Sequence, residues 1–181
     1  MTSAVIAPYR AMWTPARALL LGGLTVGVLD GLDALIFFGL RGVPPARVFQ
    51  GIASGLLGRS AFAGGMATAL LGILLHFFIA FAVVTTYHVA ARRLPGLTNR
   101  PWIYGPLYGL LVYAIMSFVV VPLSAIGASS PSTGVLLNGL LIHAVGVGLP
   151  AALSARAALS ARARAPGPDG PGSVSGSCSA T

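Results

Sequence analysis

The sequence predicts an all-α integral membrane protein, a four-helix bundle with an interfacial helix between spans 1 and 2. Three observations carry that prediction. The 181 residues are 56% hydrophobic and only 8% charged, with a mean hydropathy of +0.88, whereas soluble domains are about 25% charged. Four apolar stretches approach or exceed the roughly 20 residues that carry a helix across a bilayer. Between the first two lies a shorter segment with helical spacing of apolar residues and too many polar ones to cross.

Residues 1–16 read as a short lead, in which Trp13 suits a headgroup-level anchor. The first span is expected at about 17–40. Arg10 and Arg17 ahead of an apolar run resemble a signal peptide, but the run is too long and lacks a small-residue cleavage site, so it reads as an uncleaved span. Its core, Leu19 to Leu40, carries Asp30 and Asp33, two of the three acidic residues in the chain. A charged Asp at the centre of a membrane helix costs roughly 2.5–3.5 kcal/mol, so two cost about 5–7. The Leu, Ile, Val and Phe side chains of the segment return about 4–8 kcal/mol in total. The sums nearly cancel, and this helix needs a neutral carboxyl, a partner or water.

Pro44 and Pro45 suit a helix start, and Val48, Phe49, Ile52 and Leu56 follow at helical spacing. A surface helix is expected at about 44–59, lying at the membrane interface or dipping shallowly into it. The second span follows at about 66–90, then a basic loop from Arg92 to Pro101. The third span is placed at about 102–122 and the fourth at about 134–155, joined by an uncharged turn. The tail, 156–181, begins as an Arg-bearing helical continuation. From Pro166 it has nothing to bury and reads as disordered.

The net charge of +8 does not indicate nucleic acid. All eleven basic residues are arginines, and they sit at the ends of apolar segments rather than on one patch. Arginine-only usage with abundant Ala and Gly points to a GC-rich bacterial genome, a codon inference rather than a physical one. Eight arginines fall on the side of the N-terminus and three (Arg41, Arg47, Arg59) opposite, which places both termini in the cytoplasm and the protein in the bacterial inner membrane. The lone Cys178 excludes a disulfide framework. No nucleophile elbow, phosphate loop, zinc-protease signature or dinucleotide fingerprint is present. No catalytic residue, metal site or cofactor is expected, and the chain does not read as an enzyme.

What remains is a set of polar residues at membrane depth. On an ideal helix Gly23, Gly27 and Gly31 share a face with Asp30, and Asp33 borders it, so the acidic face is a helix-packing face. His76 on the second span and His143 on the fourth each lie on a small-residue side. Asp30, His76 and His143 fall within about 3 Å of the midplane, and Asp33 about 7 Å towards the outside. Asn138 falls opposite His143 on the wheel and is expected to stay apart. His88 is expected half-exposed beside Arg92. Asp30, Asp33, His76 and His143 thus form the candidate intramembrane cluster. Three readings remain open: hydrogen-bonded glue between helices at about 0.6 kcal/mol per contact, a proton-bearing or solute-lining site, and a metal or haem held by His76 and His143, which the paired acids fit poorly.

Three stretches, LLGILLHFFIAFAVVTTYHVAARRLP, then YGPLYGLLVY with VVVPLS, then LLNGLLIHAVGVGLP, are together similar to small uncharacterised proteobacterial membrane proteins. They distantly resemble the YagU-like inner-membrane family. The resemblance covers about 66–156 and rests on His76, the Arg92–Pro101 loop, Pro122 and His143. It implies a helical bundle in the inner membrane and no particular activity, and it does not include Asp30 and Asp33.

The expected function is therefore proton or small-solute handling through the Asp/His cluster, with a structural or assembly role as the alternative. Membrane lipids are the expected partners. Four helices are few for a self-contained pathway, which leaves a homo-oligomer open.

Overall fold

The structure, a computed structural model, describes residues 14–127 and 131–163. The lead with Trp13, residues 128–130 and the tail from Arg164 with Cys178 lie outside the described residues.

The described chain is helical throughout, with no strand. It forms α1 (Pro15–Gly39), α2 (Pro45–Leu57), α3 (Gly65–Arg93), a single turn α4 (Gly96–Asn99), α5 (Pro101–Leu123) and α6 (Thr133–Ser160). Four of these, α1, α3, α5 and α6, are long and apolar enough to cross a membrane, the arrangement of a multi-pass membrane protein. Prolines open three helices, at Pro15, Pro45 and Pro101. The first turn leaves the missing N–H without consequence and uses the fixed φ of the ring. Thr14 completes the start of α1, its Oγ1 accepting from Arg17 N at 3.2 Å.

Facing residues show that the four spans run alternately up and down. Gly23, Gly27 and Gly31 of α1 lie against Phe81, Phe77 and His76 of α3 in descending order. Gly22 meets Ser154 of α6, while Asp33, further along α1, meets Asn138, earlier on α6. Gly105 and Gly109 of α5 lie against the backbone of α6 at Gly148 and His143. Small residues thus bring the helices together, as packing within lipid requires.

The two halves of the bundle differ. Towards the arginine-rich end the helices are closely packed around Val26, Ala80, Val84, Tyr87, Val147, Ala151, Ala152 and Ala155. Tyr87 and Tyr108 meet edge to face at 4.9 Å. Their hydroxyls donate to Leu97 O at 3.0 Å and Val83 O at 2.8 Å. Tyr108→Phe removes the second bond and is expected to cost about 0.6–1.7 kcal/mol, read from thermal or denaturant unfolding in detergent. His88 belongs to this packed half. It is buried, not half-exposed, and its Nε2 lies 2.9 Å from Ser154 Oγ. The hydroxyl already donates to Ala151 O, so it accepts from His88. The wheel could not foresee this pairing, because the partner sits on another span.

Towards the opposite end the bundle opens, and α2 closes over the gap. The buried side of α2 is Gln50, Ala53 and Ser54, turned to α3, and the Phe49 carbonyl rests on Gly72. Gln50 Nε2 donates to Gly65 O at 2.8 Å, and Ala125 N, in the loop after α5, donates to Gly55 O at 2.9 Å. The segment read as a surface helix is therefore pinned to the spans at both ends and roofs a cavity.

Both α5 and α6 contain one widened turn, at Met116–Val120 and His143–Gly148. Each is followed two residues on by a proline, Pro122 or Pro150. A proline within a span offers no N–H and crowds the carbonyl four residues back, so the preceding turn relaxes to a wider hydrogen-bonding pattern.

Candidate functional site

The open half holds a cavity of about 760 Å³, within the range of small-molecule sites. Its floor is Asp30 and Asp33 of α1, His76 of α3, and Asn138 and His143 of α6. Its walls are apolar and aromatic, with Phe37 and Phe38 of α1, Tyr113 and Met116 of α5, and Phe49 and Ile52 of α2. Arg47 and Phe62 also line it, and they line a second shallow pocket with Gly42, Val43 and Pro44 at the α1–α2 connection. Arg47 donates to Phe62 O at 3.3 Å with its guanidinium 5.0 Å from the Phe62 ring.

The geometry brings all four sequence-predicted residues to this one cavity. Asp30 stands between the two imidazoles, its Oδ2 3.9 Å from His76 Nδ1 and its Oδ1 4.0 Å from His143 Nδ1. These separations exceed a hydrogen bond, and a small rotation or one bridging water closes them. Each imidazole is also anchored to a carbonyl. His76 Nε2 lies 2.8 Å from Gly27 O across the α1–α3 contact, and His143 Nδ1 lies 2.9 Å from Gly139 O, one turn back on its own helix. A carbonyl only accepts, so those nitrogens carry the hydrogens. In the neutral His76 ring Nδ1 is then a bare acceptor facing a carboxylate. Two facing acceptors with no donor between them are satisfied by one proton, held on either side. The ring of Tyr113 meets that of His143 edge to face at 5.2 Å.

Asp33 does not join the imidazoles. Its Oδ2 accepts from Asn138 Nδ2 at 2.6 Å. Asn138 is the residue that sequence reasoning set aside, and the reason is geometric. The stripe of α6 that lines the cavity is Val135, Asn138, Gly139, Ile142 and His143. On a wheel centred between Gly139 and Ile142, Asn138 and His143 lie about 70° to either side. They are far from one another, yet both border the same cavity. A wheel centred on the stripe of small and apolar residues, rather than on His143, finds Asn138. The widened turns have a signal in the residues themselves, since Pro122 and Pro150 follow them and prolines within spans are where kinks are expected.

Among the described residues no group of three His, Cys, Asp or Glu side chains is placed to hold a metal ion. Neither floor aspartate forms an ion pair with an arginine there. Fold and site together define a four-span helical bundle with a roofed acid–imidazole cavity in one half. No family model matches the chain, and no curated protein or solved structure shows significant similarity to it.

Proposed function

We propose that the protein admits a small solute to this cavity and couples its occupancy to protonation of the Asp30–His76–His143 cluster. The observation that carries the reading is Asp30, set between two imidazoles on the floor of a cavity that reaches it from the α2 end. Ionisable groups at membrane depth are costly, and a proton or solute pathway is their ordinary use. The arginine distribution supports placement in a bacterial inner membrane with both termini in the cytoplasm, so the cavity half faces outward. The YagU-like resemblance supports the same location and adds no activity. Chemistry on a bound substrate is not part of the reading.

The test is infrared difference spectroscopy of the reconstituted protein between pH 3 and pH 9, in water and in D2O. A carboxyl band is expected that shifts within seconds of D2O exposure and disappears in Asp30→Asn. A difference spectrum unchanged by Asp30→Asn, or exchange over hours, rejects the reading.

One observation favours the structural alternative. The His76 imidazole bonds the Gly27 carbonyl across the α1–α3 contact, as interhelical glue would. On that reading the cavity is only a packing gap, and the exchange is slow.

A further inference from the structure

We infer that the solute is an amphipathic organic cation, a single positively charged head on an apolar body, bound head-down against Asp33 and Asp30. This rests on the solute-coupled reading above and names its ligand. Four observations point to it. The cavity walls are aromatic and aliphatic, suited to an apolar body rather than to a hydrated ion or a sugar. The floor carries two carboxylates, and no arginine pairs with either among the described residues. Asp33 has only the neutral amide of Asn138 as its hydrogen-bond partner, so among the described residues no cationic side chain occupies it and a cationic head finds the place free. His76 lines the same cavity, and its Nδ1 lies 3.9 Å from Asp30 Oδ2, so that nitrogen faces what enters. Phe49 and Tyr113 add aromatic lining to the same space, which favours a cationic head over a neutral one, while one face of Phe37 is already taken by the Arg41 guanidinium, 3.5 Å from the ring centre.

The exchange balances. In the empty site one proton is shared between Asp30 and His76 and offsets the Asp30 charge alone. When the cation arrives, that proton leaves to water and the cation takes its place as counter-charge, so one positive charge is exchanged for another. Binding then tightens as pH rises and releases about one proton per cation. Arg47, in the first turn of α2, is held back by the Phe62 carbonyl and ring, so it does not occupy the carboxylates itself.

The experiment uses the full chain in nanodiscs of phosphatidylglycerol, which carries no ammonium group, with radiolabelled tetraphenylphosphonium as the probe. Saturable binding is expected, displaced by decyltrimethylammonium and not by decanol or decanoate. Asp33→Asn is expected to weaken it by about tenfold or more, the loss of one charged contact in a partly dry site. Ile52→Trp, which fills the cavity from α2 without touching either acid, is expected to abolish binding while preserving the Asp30 infrared band. Displacement by decanol or decanoate as effective as by the ammonium overturns the assignment of a cation and leaves the solute reading standing. Equal binding by wild type, Asp33→Asn and Ile52→Trp assigns the signal to lipid and overturns the site. Suppression in phosphatidylethanolamine nanodiscs assigns the ammonium to a lipid headgroup and overturns a free solute. Loss of the infrared band in the wild type rejects the underlying reading instead.

Discussion

Gly109→Val is expected to prevent the bundle from assembling. A Cβ at this position falls on the carbonyl of His143, and the mirror contact places a Cβ at Gly148 on the carbonyl of Gly105. The obstruction is backbone, which cannot rotate away as a side chain does. The helices must separate, and separation breaks the run of contacts from Gly105 to Tyr113. Overpacking typically costs 1–3 kcal/mol where side chains can yield. Here they cannot, so about 3 kcal/mol or more is expected, measured as unfolding in detergent. The variant should be lost from the folded, monodisperse fraction. Gly51→Ala is the control. Nothing lies within 4 Å of a Cβ there, and the helix gains about 0.5–1 kcal/mol of propensity. If Gly109→Val unfolds like wild type, α5 and α6 are not in backbone contact and the floor geometry at His143 is wrong with them.

Gly72→Val is expected to do something narrower, lifting α2 from the spans while the bundle stays folded. A Cβ at Gly72 falls on the carbonyl of Phe49, so α2 cannot keep its seat on α3. The closely packed half lies elsewhere, around Val84 and Ala151, and loses nothing. Trypsin provides the readout, because Arg47 lies on α2 and Arg59 immediately beyond it. Cleavage at both is expected to quicken by about tenfold or more, as local opening becomes easier by over 1.4 kcal/mol. The melting transition of the four spans should shift little. Unchanged cleavage at Arg47 and Arg59 would show that α2 is not seated through Gly72. Together the two variants separate the contact that holds the bundle from the contact that covers its cavity.

Much of this arrangement was legible in the residues. The Gly23-Gly27-Gly31 stripe announced the face of α1 that meets α3, and helix arithmetic put Asp30, His76 and His143 at one level. Their distances in the structure follow from that shared level and from spans that alternate in direction. Other parts were not legible. Asn138 reaches Asp33 because two residues 140° apart on a wheel both border one wide cavity. His88 is buried because Ser154, on a different span, accepts from it. Neither fact is present in any single helix.

Hydropathy and periodicity act within a segment, and on their own they determined the four long apolar helices, the short helix between the first two and the small-residue faces. Only the tertiary structure decided that the bundle is tight at one end and hollow at the other. At the tight end α5 meets α6 at Gly105, Gly148 and Ala152, and Gly22 and Gly23 of α1 receive Ser154 and Phe81, so no space remains. At the other end the ring of Tyr113 stands against Gly139, α2 spans the opening, and a cavity is left with two carboxylates on its floor. Whether facing small residues meet in register or are held apart by one large ring depends on how helices pair, and no one-dimensional pattern carries that pairing.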